Sequence, residues 1–559
     1  AAAFERRGNR RWAGRAALLE VQATHARRRA SAEATARRAD DVHATLCAHG
    51  LPADVQLAAL TAARAWLAAG DLDACRARLV AAGRVVGAEA RVHARLVRSE
   101  LADREGLRAQ AQRHRRAALA ELDGLRSGLG ALELRAGTAV LGIQVAQAGL
   151  ASALTAGRAA EVFAWAELTR AQSLLLPPVR PDVADADWSR LRAVALAQLR
   201  AEFDGADRVD LRAQRDELRA RLRRKTWSAA GGGPAARPVD LSVLRARLGE
   251  RALVAYLCVG GHLHALVVTR ERSRRVRLAR LDEVREQLLR VRGDLDLLAG
   301  TGAGDPLHGI LTTALDADAA ELSARLLRPL APLLGDRELV VVPTADLITV
   351  PWAVLPAAHG RAVTVAPSAT LWVQRSERAT ADLGSLVLAA GPRLPHATEE
   401  VAHLAALARA AGVPATVLPT ATTGAVRAAL SRHDVVHVAC HGHHAADNPL
   451  FSGLELADGL LMGYDLLTVA RPPRIVVLSA CDLGISDVRP GDEALGIATA
   501  VLAAGAGCVV ASVARTGDAE TAAVMADLYA GLLAGLPPAR ALAAAVADRP
   551  SGFVCLGAG

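Results

Sequence analysis

Val435-Val436-His437-Val438-Ala439-Cys440-His441-Gly442 and Ile475-Val476-Val477-Leu478-Ser479-Ala480-Cys481 decide the fold. Each is a short apolar run rich in β-branched residues, too short for a buried helix and lacking the polar alternation of a half-exposed strand. Runs of this kind are strands buried on both faces of a parallel sheet. Each ends in a chemically active side chain, His441 in one and Cys481 in the other. Their spacing of 40 residues accommodates one crossover between neighbouring parallel strands. In such sheets the sites lie beyond the carboxyl ends of the strands.

The same texture runs through 240–559. Further strand candidates are Glu338–Val342, Leu386–Ala390 and Cys508–Val513, and helical stretches include His396–Ala411, Thr423–His433 and Asp492–Ala504. Leu253–Cys258 and Leu263–Thr269 flank Gly260-Gly261, a β-hairpin signal. Strands alternating with helices predict an α/β domain with a mostly parallel sheet flanked by helices. Ala494–Ala514 has 21 residues without a charge, long enough to cross a bilayer. Gly505-Ala506-Gly507 divides it into a helix and a buried strand, so no membrane span is expected.

Residues 1–226 read as helical throughout, dominated by Ala, Leu and Arg with few Val/Ile runs. Leu60–Ala69, Gly70-Asp71 and Ala74–Leu79 form a helix–turn–helix pattern, which returns around Gly157. These hairpins resemble tetratricopeptide repeats, in degenerate or interrupted form, since Gly70 and Gly157 are 87 residues apart and the repeat is about 34. After Pro177, Pro178 and Pro181, the spacing of Leu211, Leu218 and Leu222 predicts a long helix or an antiparallel helical pair. Gly231-Gly232-Gly233-Pro234 with Pro238 reads as a linker. The predicted organisation is a helical-repeat region over 1–176, a helical or coiled-coil segment over 177–230, a Gly/Pro linker over 231–239, and an α/β domain over 240–559 that folds alone.

Hydrophobic residues make up 52% and charged residues 22%, a globular balance, but aromatics are only 3%, so the core must be built from Ala, Leu and Val. Residues 1–236 carry 38 Arg/Lys against 26 Asp/Glu, and 237–559 carry 29 against 32. A basic half raises nucleic acid as a partner. Its arginines are interspersed with carboxylates along helices, and few aromatics are present for base stacking, so solvated helix faces are the preferred reading. Seven dispersed cysteines without a CxxC pair predict no disulfide framework and a reducing, cytoplasmic setting. The chain has no signal pattern and does not begin with Met, which reads as a fragment of a longer protein.

A cysteine nucleophile needs an imidazole to take its proton and backbone N–H groups to hold the oxyanion. Cys481 and His441 supply the pair, and the amides of Gly442 and Cys481 are the oxyanion donors, Gly442 leaving room for a substrate carbonyl. His437-Val438-Ala439-Cys440-His441-Gly442 followed by Leu478-Ser479-Ala480-Cys481 resembles the signature of CHAT domains, caspase-like relatives of separases often joined to tetratricopeptide repeats. Val341-Val342-Pro343, Pro351-Trp352-Ala353-Val354-Leu355, Pro367-Ser368-Ala369, Gly491-Asp492-Glu493 and Leu495-Gly496 match in order. The family usually has Trp after the Ser of strand 508–513, where this chain has Val513, and the aromatic pair before the closing strand Phe553–Gly557 is lacking.

The resemblance implies a cysteine endopeptidase that needs no cofactor, with the helical half binding a protein substrate or activator. The alternative is a non-enzymatic scaffold with a latent domain. Cys440-His441-Gly442-His443-His444 also reads as a metal cluster, but Cys440 and His441 are consecutive on a strand and point opposite ways, so no metal is expected. His437 reads as a core residue. Asp492 and Glu493 either cap the helix expected at Asp492–Ala504 or, with Asp482, line a pocket favouring Arg or Lys before the scissile bond. Arg515 is the candidate for the opposite, acidic preference.

Overall fold

The computed structural model describes residues 1–27, 31–48, 52–177, 179–180, 186–204, 209–233, 236–302, 304–376, 383–445, 448–480, 487–489 and 492–559. They form two compact units: residues 1–126 with 138–155, and residues 127–137 with 156–559.

The first unit is helical. Small residues let its helices approach: a Cβ on Gly14 would lie 2.7 Å from Leu46, and one on Gly142 would lie 2.5 Å from Leu122. The helices Pro52–Ala69 and Leu72–Ala81 turn at Gly70, whose φ of 91° is left-handed. Asp71 caps the second of them, accepting from the Ala74 N–H at 2.8 Å. Arg64 spans Glu100 through two bonds of 2.9 and 2.7 Å and also reaches Gln144. One helix among the described residues, Ala139–Ala156, is long and apolar enough by composition to cross a bilayer.

The second unit is built on a sheet. Its strands in chain order are β1 (Ala252–Val259), β2 (His262–Val268), β3 (Ser273–Arg280), β4 (Leu339–Val342), β5 (Val363–Val365), β6 (Leu386–Ala390), β7 (Ala415–Val417), β8 (Val435–Ala439), β9 (Gly442–His443), β10 (Gly453–Leu456), β11 (Gly459–Met462), β12 (Ile475–Ser479), β13 (Asp487–Arg489), β14 (Glu493–Leu495), β15 (Cys508–Ser512) and β16 (Phe553–Gly557). Eleven of them form one sheet in the order β3-β2-β1-β4-β5-β16-β15-β12-β8-β6-β7. β9, β10 and β11 make a small three-stranded sheet, and β13 pairs with β14. Within the large sheet only β1/β2, β2/β3 and β15/β16 are antiparallel. The last of these reverses the sheet: β1, β4, β5 and β16 run one way, and β15, β12, β8, β6 and β7 run the other.

Helices cover both faces. Val436, Val438, Val476 and Leu478 point to one face, and Val435, Ala439, Ile475 and Val477 to the other, as strand alternation requires. The second face is closed by the helices Pro395–Ala410, Asp518–Leu533 and Pro538–Ala545. The first face takes in Trp188, Leu191, Leu218 and Leu222 from the segment expected to be a separate helical element, and Leu174 from just before it. That segment is an antiparallel pair, Ala186–Asp204 and Val209–Trp227. Trp188 meets Tyr464 and Phe451 at tilted angles, with ring centroids 5.2 and 6.2 Å apart, an aromatic cluster in a chain that has few.

Residues 156–230 therefore sit in the same compact unit as the sheet, and the Gly/Pro stretch 231–239 runs inside it. Two buried charges bind them there. The Glu167 carboxylate accepts from the Ala369 and Thr370 N–H groups at 3.1 and 2.8 Å and from Thr370 Oγ1 at 2.6 Å, capping the helix Ala369–Ser376. Arg170 donates to the carbonyls of Tyr256 and Val342. A chain beginning at Val239 is accordingly expected to aggregate and to melt without a cooperative transition in calorimetry; a sharp transition at the full chain's midpoint would refute this. In the full chain, Trp188→Ala is expected to cost about 3–5 kcal/mol in urea unfolding.

Candidate active site

The β8 and β12 strands are parallel neighbours in register, Val435 opposite Ile475 through Ala439 opposite Ser479. Both are buried along their whole length. The Cys440 N–H donates to the Ser479 carbonyl at 3.2 Å, extending the ladder to the last residue before His441. On either side lie β6 and β15. The carboxyl edge thus presents, in lateral order, the segment after β6, His441, the end of β12 at Ala480, and the segment after β15. Cys481 and Asp482 lie outside the described residues.

His441 is half-buried, and its Nε2 lies 3.1 Å from the carbonyl oxygen of Arg393. A carbonyl only accepts, so in the neutral ring this contact assigns the proton to Nε2 and makes Nδ1 the basic nitrogen. Arg393 follows β6 and has a left-handed φ of 59°, which costs a non-glycine residue about 1 kcal/mol. Its guanidinium explains why it stays there: it pairs with Glu455 of β10. Glu455 is 1% exposed in its side chain and also bonds His443 Nε2 at 2.7 Å. Its own N–H donates to the His441 carbonyl at 2.9 Å. One buried carboxylate therefore clamps both segments that position the imidazole.

Burial alone would raise the Glu455 carboxyl; the His443 hydrogen bond and the Arg393 charge outweigh it and hold the group below its ordinary value. Gly442 and His443 form β9 against β10, Gly442 opposite Leu454 and His443 opposite Gly453. Cys440 is fully buried, and a Cβ on Gly391 would lie 2.4 Å from its own. Burial, with Glu455 adding to it, pushes the Cys440 thiol far up, so it is an inert packing group.

His437 is a core residue, as its strand position implied. Its Nε2 lies 2.8 Å from Glu400 Oε1, and its ring meets Tyr529 edge-on with centroids 5.5 Å apart. Ser479 Oγ donates to the other Glu400 oxygen at 3.3 Å, so the helix Pro395–Ala410 grips β8 and β12 together.

The expectation for Asp492 requires correction. The helix begins at Ile497, with Gly496 as its N-cap, so Asp492 does not cap it. Asp492 occupies a turn with φ 52° between β13 and β14. One carboxylate oxygen accepts from the Ala345 N–H at 2.8 Å and Thr344 Oγ1 at 2.9 Å, and the other meets Arg170 Nε at 3.1 Å. Both oxygens are thus engaged by the segment after β4 and by Arg170. Glu493 belongs to β14, and its side chain lies outside the described residues. Arg515 is exposed beyond the end of β15, its N–H donating to Asp296 at 2.8 Å.

Sequence reasoning missed Arg393 and Glu455. The available signal was Glu455 itself, a lone carboxylate in the apolar run Leu450–Leu456, because a buried charge implies a partner.

Residues 316–549 match the family model described as CHAT domain, and a helical region precedes them in the chain. Among solved structures, two crystal structures of the Saccharomyces cerevisiae separase–securin complex are similar. One, at 3.0 Å resolution, has a TM-score of 0.44 and 9% identity, covering 94% of this chain and 48% of that one. The other, at 2.6 Å, has a TM-score of 0.40 and 8% identity, covering 98% and 50%. The chain thus spans about half the length of those chains. No curated protein matches the sequence.

The depressed Glu455 makes acid a test of the clamp. A carboxyl with a lowered folded value contributes stability that is complete above the unfolded value near 4.3 and is lost as pH falls through the folded one. Glu455→Gln is expected to lower the urea midpoint at neutral pH, and the gap to the native chain should narrow as pH falls below the unfolded value of about 4.3. A pH-independent gap would remove the ionised clamp.

Proposed function

We propose that the CHAT domain is a caspase-like cysteine endopeptidase, with Cys481 as nucleophile and His441 as base. The observation that carries this reading is the parallel pairing of β8 and β12, which run directly into His441 and toward Cys481, together with the Arg393 carbonyl, which accepts the Nε2 hydrogen bond and makes Nδ1 the accepting nitrogen of the neutral ring. The thiol would pass its proton to Nδ1 as sulfur attacks the scissile carbonyl, and the imidazolium would return it to the departing amine. The Gly442 and Cys481 amides would hold the oxyanion, and water would then hydrolyse the thioester. No cofactor enters the scheme.

The helical region would recruit a protein substrate or activator, in a reducing, cytoplasmic setting. Of the acidic pocket candidates, Asp482 and Glu493 would carry a preference for Arg or Lys before the scissile bond, since the Asp492 carboxylate is occupied by Arg170.

The test is covalent labelling with a peptidyl electrophile. Cys481→Ser is expected to abolish labelling, and His441→Ala to slow it by roughly a hundredfold or more. An intact, folded chain that resists labelling even with its binding partner present would leave the scaffold reading. Fluorogenic peptides differing only in Arg or Asp before the scissile bond decide specificity: Arg is expected to be faster, by roughly tenfold to a hundredfold. Faster cleavage after Asp would transfer the pocket to Arg515.

A further inference from the structure

The large sheet has two edges. β7, at one end, is three residues long, short enough to be self-limiting. β3, at the other, is eight residues long and, among the described residues, has a strand neighbour on one side only. Its sequence stands apart from its surroundings. Residues 270–280 hold six arginines and one glutamate, within a half of the chain whose overall charge is slightly negative.

The strand alternates. Val276 and Leu278 pack toward the core, which turns Arg275 and Arg277 to the opposite face, where their register partners on β2 are Leu266 and His264. Arg274 and Arg277 make no ion pair among the described residues, whereas Arg325 and Arg290, on the helices nearby, each hold a carboxylate. The positive field is felt locally: burial lowers His264, and Arg275, Arg277 and His262 lower it further.

We propose that the free edge of β3 docks an acidic, extended segment of a partner protein, which adds to the sheet beside β3. An edge strand offers unpaired N–H and C=O groups to another chain. Side chains on one face of a strand repeat every two residues, so alternate Glu or Asp on the incoming segment would meet Arg275 and Arg277, and those of the other face Arg274, whereas Arg280 is already paired with Asp282. The strand carries no aromatic side chain for stacking a base, which favours a peptide over a nucleic acid. The inference is independent of whether the domain cleaves peptides.

The probe is a fluorescent decapeptide of alternating Glu and Val, titrated onto the full chain and followed by anisotropy. Saturable binding is expected, weakened roughly tenfold or more by Arg275→Glu with Arg277→Glu. Arg275→Gln with Arg277→Gln should weaken it less and serves if the reversal disturbs folding. The same peptide N-methylated at alternate residues keeps its charge but cannot complete a ladder, and it is expected to lose binding. Absence of saturable binding, equal binding of the N-methylated peptide, or equal competition by oligo-dT of the same charge would each overturn the proposal.

Discussion

A sheet buried on both faces must be roofed twice, and most of this architecture follows from how the second roof is supplied. Helices within the sheet's own sequence close the face bearing Val435 and Val477. The other face needs Trp188, Leu191 and Leu222 from a segment that precedes the sheet in the chain. The buried ions follow from this dependence. Glu167 and Arg170 satisfy backbone groups at a helix start, within β1 and at the end of β4, groups that would otherwise be buried without partners. They are local to neither element and bind one to the other.

The sequence was most legible where burial is two-sided. Runs such as Val435–Ala439 and Ile475–Ser479 have no competing interpretation, and Gly260-Gly261 announces its hairpin through two left-handed glycines. It was least legible where one side chain answers to a distant partner. Asp492 and Glu493 before an apolar helix read like a cap, but Arg170, far upstream in the chain, draws Asp492 into a turn and delays the helix to Ile497. β3 escaped notice because alternating Arg with Val and Leu resembles a solvated segment. The pairing of β8 with β12 was readable from spacing. The reversal between β15 and β16 was not, since an apolar run has the same pattern in either direction.

Backbone strain is distributed with the same economy. The four described non-glycine residues with left-handed φ are Ala171, Ala345, Arg393 and Asp492. Arg393 belongs to the Glu455 clamp beneath His441; the other three surround the contact of Arg170 with Asp492. Each is held by a charged hydrogen bond in itself or in its neighbour, as strained residues must be to persist. The candidate base is thus oriented by a carbonyl that is itself held in place by an ion pair.

The position of β16 fixes an order of events in synthesis. It is the last strand of the sheet to leave the ribosome, yet it lies between β5 and β15, joining the two oppositely directed halves. Until residues 553–557 emerge, each half carries a raw edge, at β5 and at β15, and the strand beside β12 has a neighbour on one side only. Before β16 is made, the nascent chain therefore carries both halves unjoined, and such edges invite chaperones or pairing with another chain. Closure of the sheet, and with it the firm seating of the segment leading to Cys481, comes as a single late step in which one short antiparallel strand is drawn in as a keystone.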